Sequence, residues 1–159
     1  MSIKVLFIDV DGTLTDGTIY MGAKGEIMKA FSVKDGHGLR HIHDQYGVIP
    51  VILTGRKSMI VKHRCKELGI SNIHQRVKDK VSVIKDYENL FTNCIFAYIG
   101  DDVNDLSAME YIKQRSGIVA CPSDADANVI SIAHYTCKRP GGDGAVREFI
   151  DFLIANNLV

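Results

Sequence analysis

Apolar residues in this chain come in short unbroken runs separated by longer stretches in which they recur every three or four positions. Unbroken runs rich in β-branched residues predict strands over residues 3–10, 48–54, 95–99 and 117–120, with weaker candidates at 72–74 and 134–136. Continuous rather than alternating hydrophobicity predicts strands covered on both faces, as in a parallel sheet. Helical spacing runs over 57–68, where Val61, Cys65 and Leu68 share a face and Gly69 is placed to end the element. It recurs over 80–90 and over 145–155, where Val146, Phe149, Ile150, Leu153 and Ile154 make one stripe. Alternation of the two periods predicts an α/β fold, a three-layer, Rossmann-like doubly wound sheet. Ligands of such sheets collect at the carboxyl ends of the strands.

One stretch departs from the alternation. Residues 17–32 read GTIYMGAKGEIMKAFS, two short apolar runs around a turn between Gly22 and Gly25. This predicts a β-hairpin, inserted directly after the first long strand. The whole chain, 1–159, is otherwise expected to form one unit.

Composition narrows the function. Nearly half of the 159 residues are apolar, and 19 basic residues balance 19 acidic ones. That balance argues against general attraction to nucleic acid or to an anionic membrane. Cys65, Cys94, Cys121 and Cys137 are far apart in sequence and form no CxxC pair, which argues against a zinc site and for reduced thiols. Asp9 and Asp11 break the apolar run nearest the N-terminus, so no leader pattern is expected, and a cytoplasmic setting follows.

Chemistry concentrates at the predicted strand ends. V-L-F-I runs straight into Asp9 and Asp11; V-I-L ends in Thr54, followed by Gly55 and Arg56; Lys80 heads a helix; and I-F-A-Y-I leads into Gly100, Asp101, Asp102 and, further on, Asp105. In a parallel sheet all four places share one edge. Two carboxylates about 4 Å apart repel by roughly 4 kcal/mol at an effective dielectric near 20. Asp9, Asp11 and Asp101, with Asp102 and Asp105 close by, therefore require either retained protons or a cation. An all-oxygen cluster suits a hard divalent ion, and Mg²⁺ fits best. With Lys80 and the Thr54 hydroxyl added, the group is suited to a phosphate beside a nucleophile.

The ordered set D-x-D-G-T-L-T, a strand ending in Thr54, Lys80, and G-D-D-x-x-D resembles the four motifs of the haloacid dehalogenase superfamily. The closer resemblance is to its phosphatases of the 3-deoxy-D-manno-octulosonate 8-phosphate (KDO 8-phosphate) type. It runs through DVDGTLTDGTIYMGAKGE, KAFSVKDGHGLR, ILTGRKS, RCKELGI, AYIGDDVND and GGDGAVRE, nearly the whole chain. The resemblance implies that Asp9 is a nucleophile forming an aspartyl-phosphate. It implies that Asp11 is the general acid and then the base, with its main-chain carbonyl on Mg²⁺. Thr54 and Lys80 would bind the phosphoryl group, with Gly55 beside them. Asp101 would ligate Mg²⁺, while Asp102 and Asp105 orient its waters and Lys80.

Too little chain separates these motifs to hold a cap domain. Since a phosphoryl-enzyme needs controlled access of water, the resemblance implies a homotetramer whose neighbouring subunits close each site. Arg56 and Arg64 suit the carboxylate of a sugar acid, with Arg64 expected to reach a neighbour's site. Phosphatases of nonulosonic acid 9-phosphates carry an acidic residue at the position of Arg56 and a lysine at that of Glu67, so the octulosonate type is favoured. A nonulosonic acid 9-phosphate and broad specificity stay open as alternatives.

Other readings carry less. His41 and His43, two apart on a helix, do not share a face. Asp35, before Gly36, reads as a helix cap. The GGDG stretch is expected to approach the site and to start the last helix. A receiver domain, or a phosphate-binding module without catalysis, would use a similar set of residues, but a receiver's lone phospho-acceptor does not fit D-x-D-G-T.

Overall fold

The computed structural model describes residues 2–159; Met1, counted in the expected 1–159 unit, lies outside them. In chain order the elements are β1 (Ile3–Ile8), β2 (Tyr20–Gly22), β3 (Gly25–Met28), α1 (Val33–Tyr46), β4 (Ile49–Leu53), α2 (Met59–Leu68), β5 (Ile73–His74), α3 (Lys80–Leu90), β6 (Ile95–Ile99), a 3-10 turn (Val103–Asp105), α4 (Leu106–Lys113), β7 (Ile118–Cys121), α5 (Ala127–Ile132), β8 (Tyr135–Thr136) and α6 (Ala145–Ala155). Six strands form one sheet in the order β5-β4-β1-β6-β7-β8, and every pairing in it is parallel. From β1 the chain winds outward through β4 and β5, then returns to β6 and winds out the other way. The order therefore reverses beside β1, and the crevice of such a sheet opens at that reversal.

Side chains of β1 show why the strands read as unbroken apolar runs. Leu6 and Ile8 enter a core with Leu39 and Ile42 of α1 and Phe149, Ile150 and Leu153 of α6. Val5 and Phe7 enter the opposite core with Ile84 of α3, Met109 and Ile112 of α4, and Val129 of α5. Both faces are dry, so both sets of alternate residues are apolar. This is the three-layer sandwich that the periodicity predicts.

Helix limits follow from caps. Ser58 accepts from Val61 N and Gly69 closes the end at φ 76°, so α2 starts two residues later than its spacing suggests. Asp79 accepts from Val81 N and Ser82 N and fixes the start of α3 at Lys80. In α1, Gly36 and Gly38 weaken local propensity, but they leave room for two arginine side chains. A Cβ at Gly36 would lie 2.5 Å from Arg64 Nη2, and one at Gly38 2.8 Å from Arg147 Cδ.

The insertion is a hairpin, as its pattern predicts, with β2 and β3 antiparallel and shorter than the flanking apolar residues suggest. No separate cap stands among the described residues. No helix among them is long and apolar enough to cross a membrane.

Candidate active site

The carboxyl ends of β1 and β6 meet at the reversal. Asp9 follows β1, is buried, and donates its N–H to Ile99 O at 3.1 Å. The chain then coils tightly: the N–H groups of Thr13, Leu14 and Thr15 all donate to Val10 O. Gly12 has φ 91°, and a Cβ there would lie 1.9 Å from Asp101 Oδ2. Glycine is needed for both reasons, and it lets Asp101, just beyond β6, close on the loop. The Thr13 hydroxyl, fully buried, donates to Asp101 Oδ1 at 3.0 Å.

Lys80, at the head of α3, reaches into this corner almost fully buried. Its Nζ donates to Asp9 Oδ1 at 2.7 Å and to Asp105 Oδ1 at 2.6 Å. Asp105 has no exposure at all. Besides Lys80 it accepts from the Tyr98 hydroxyl and, through Oδ2, from the N–H groups of Asp101 and Asp102 at 3.0 and 3.3 Å. Burial opposes the charge of Lys80, but Asp9 and Asp105 outweigh it and keep the ammonium protonated.

The acids are not balanced by one lysine. Burial first, and the charge of Asp105 second, hold the Asp9 carboxyl well above its usual range against the pull of Lys80. The same two causes push Asp101 up to about 7, against the hydrogen bond from Thr13. Oxygens of Asp9, Asp101 and Asp105 lie within 4.8 Å of one another. Asp105 already accepts four hydrogen bonds, which use its acceptor capacity. Among the described residues none reaches Asp9 Oδ2 or Asp101 Oδ2, and the Asp11 carbonyl likewise accepts none. A hard cation would meet the open oxygens of Asp9 and Asp101 in a corner with an excess of negative charge, an all-oxygen surrounding suited to Mg²⁺.

The other expected residues divide into three groups. Thr54, buried at the end of β4, accepts from Arg56 N at 3.3 Å and lies on the same edge of the sheet. Gly55 follows it in the open. The Asp11 carboxylate meets the hairpin, where Oδ1 accepts from Lys29 Nζ, and Oδ2 lies 3.7 Å from Arg56 Nε. Asp102 and Arg64 are directed elsewhere. Asp102 is exposed, and its side chain caps the 3-10 turn through Val103 N at 2.7 Å. Arg64 pairs with Glu67 at 2.8 Å and stands over Phe31, at the junction of α1 and α2.

No family model matches the chain. It is 38% identical over 161 aligned positions to the 3-deoxy-D-manno-octulosonate 8-phosphate phosphatase KdsC of Escherichia coli K12, covering 96% of this chain and 80% of that protein. The chain belongs to the KdsC phosphatase family. Solved structures of this family share the fold. The Moraxella catarrhalis phosphatase, in complex with magnesium, phosphate and KDO, aligns at TM-score 0.86 and 37% identity over 98% of this chain and 89% of its own. The cobalt-bound enzyme of Haemophilus influenzae aligns at 0.89 and 33% over 98% and 90%.

Four residues at this KdsC-type site escape sequence reading. Glu26 and Lys29 lie in the hairpin, where nothing in their spacing signals an ion pair. Tyr98 reads as one more apolar strand residue, although a tyrosine facing a buried acid can donate. Asp124 holds the GGDG stretch by accepting from Gly141 N at 2.9 Å. That stretch does approach the site, as expected: a Cβ at Gly141 would lie 1.9 Å from Gly12 O. Asp35 does not cap its own helix, since Ser32 caps α1 by accepting from Asp35 N, and the Asp35 side chain instead caps the start of another helix. Its carboxylate accepts from Gly144 N and Arg147 N at the start of α6.

Proposed function

We propose that this chain is a Mg²⁺-dependent phosphatase that releases phosphate from KDO 8-phosphate through an aspartyl-phosphate. The observation that carries the reading is the corner of Asp9, Asp101 and Asp105 around Lys80, with oxygens left open, in a chain of the KdsC family. Asp9, Asp101 and the Asp11 carbonyl would hold the Mg²⁺, with Asp105 behind them fixing Lys80. When bound, Mg²⁺ supplies positive charge beside the phosphoryl oxygens and lets the acids remain ionised.

The residues themselves divide the remaining work. A carboxylate oxygen of Asp9 attacks phosphorus, and the bond from phosphorus to the sugar oxygen breaks. Asp11 gives that oxygen its proton, then takes one from the water that attacks the acyl phosphate, which restores Asp9 and frees inorganic phosphate. Lys80 and the Thr54 hydroxyl meet the charge on the phosphoryl oxygens. Asp102, exposed next to Asp101, would orient waters of the bound Mg²⁺. Arg56, 45% exposed beside Asp11, faces the part of the ligand outside the phosphate, where a guanidinium suits a sugar-acid carboxylate.

The same reading includes a homotetramer, a unit without a cap, and a cytoplasmic setting in which all four cysteines stay free thiols. Ile19, Met21, Ile27 and Met28 expose apolar side chains on the hairpin, up to 64% for Ile27, and a patch of this kind is suited to association. Arg64, placed away from its own site, would serve a neighbour's. Sedimentation of Ile27→Asp should show smaller species with weaker activity; a fully active monomeric parent would overturn this part.

The test of the reaction is phosphate release from KDO 8-phosphate with and without Mg²⁺, with Asp9→Asn as the control. Turnover that needs Mg²⁺ and disappears in the variant supports the proposal. Preference for a nonulosonic acid 9-phosphate would move the substrate assignment and leave the mechanism, and no release from any ester would overturn it.

A further inference from the structure

Beside the acid corner stands a second charge cluster that the reaction as written does not use. Lys29 leaves the end of β3 with its side chain 1% exposed. A buried ammonium is costly unless it is paired, and this one has two partners. Its Nζ contacts Asp11 Oδ1 and stands 2.8 Å from Glu26 Oε1. Glu26 Oε2 in turn accepts from the Ser58 hydroxyl at 2.6 Å. Ser58 caps α2 four residues after Thr54, and Gln75 clamps its backbone from both sides, at 2.7 and 3.1 Å. A continuous chain of polar contacts thus runs from the start of α2, through the hairpin, to the carboxylate of Asp11.

Among the described residues nothing else holds that carboxylate firmly, and its only other charged neighbour is Arg56, at 3.7 Å and half in solvent. The main chain of Asp11 is set by the coil around Val10, but its side chain keeps its torsional freedom unless a partner removes it. Transfer of a proton needs the donor within hydrogen-bond reach of the leaving oxygen.

We propose that Lys29 is a positioning residue for the reaction, holding the Asp11 carboxyl toward the leaving oxygen while the hairpin lies docked on Ser58. The inference rests on the reading of Asp11 as general acid and base. It makes the hairpin part of the proton-transfer machinery, in addition to any part it has in assembly. Arg56, exposed at the rim and 3.7 Å from both Asp11 Oδ2 and Glu26 Oε1, is the cation that remains within reach of the ligand.

The test separates this role from that of a simple anchor. An aliphatic sugar oxygen must be protonated as it leaves, whereas p-nitrophenolate leaves without a proton. The ratio kcat/KM reports every step through departure of that group. Lys29→Met should therefore lower kcat/KM for KDO 8-phosphate by about 100-fold, the low end of what general acid catalysis supplies. The same variant should stay within about threefold of the parent on p-nitrophenyl phosphate. Lys29→Arg, which restores the cation, should recover most of the loss. If Lys29→Met loses its near-ultraviolet circular dichroism, Lys29→Gln carries the same comparison. Equal losses on both esters, or none on either, would overturn the positioning role. A parent protein that cleaves neither ester with Mg²⁺ would instead overturn the reading of the site on which the proposal rests.

Discussion

Asp101 ties the acid corner to a quantity that can be measured without substrate. Its carboxyl is pushed up to about 7, first by burial and then by Asp105, whereas in an unfolded chain an aspartate titrates near 3.9. Between those values the folded, metal-free protein binds more protons than the unfolded chain, so its stability falls as pH rises. The contribution is complete below about pH 4 and is lost as pH climbs through about 7. About three pH units at 1.36 kcal/mol each correspond to about 4 kcal/mol as an upper bound, because Asp101 keeps some contact with solvent. That is a large share of the roughly 5–15 kcal/mol that holds a domain folded. Asp9, also raised, acts in the same direction. Mg²⁺ competes with these protons, so its affinity should increase with pH up to about 7 and its binding should release protons. Urea unfolding in EDTA at about pH 5 and about pH 7.5 measures the loss directly. With saturating Mg²⁺ the loss should vanish, and Asp101→Asn should flatten the slope in EDTA. Metal-free stability that is level or rises over this range, or an unchanged slope in Asp101→Asn, would refute the reasoning.

Two further expectations concern the supports of the site. Asp35→Ala removes the buried acceptor of Gly144 N and Arg147 N and should cost roughly 2–3 kcal/mol in urea unfolding, with kcat at saturating Mg²⁺ close to the parent's. Gly141→Ala would place a methyl 1.9 Å from Gly12 O, a backbone atom that cannot turn aside. The Gly12 loop must then shift, and since misplacement by about 1 Å can cost 10²-fold, kcat should fall by about that factor in a steady-state assay.

The sheet was legible because both its faces are buried, so that β1 reads V-L-F-I without a polar break. The site was legible because parallel strands deliver their ends to one edge, which brings three chemically marked strand ends and the head of the Lys80 helix together from sequence order alone. Helices α4 and α5 left weaker traces. The first begins inside an acidic stretch whose residues also bind one another, and the second spans six residues, too few for a periodicity to show. Helix α1 was expected around His41 and His43 but without bounds, because glycines that make room for Arg64 and Arg147, far away in sequence, interrupt its spacing. Directions of side chains were the least readable. Asp11 and Asp102 belong to the same kind of acidic motif as Asp9 and Asp101, yet Asp11 turns to Lys29 and Asp102 to its own backbone. For Asp11 the deciding partner, Lys29, is brought up by the hairpin's packing, which spacing does not encode, whereas Asp102 answers to the local cap of the 3-10 turn.

The central claim is that Asp9 becomes phosphorylated. Acid quenching of a single turnover with phosphate-labelled KDO 8-phosphate, followed by mass spectrometry of the peptide spanning Asp9 and Asp11, tests it most directly. The account predicts one transient phosphate on Asp9, formed before free phosphate and absent in Asp9→Asn. Steady release of phosphate with no label on the protein, or with the label on Asp11, would contradict it.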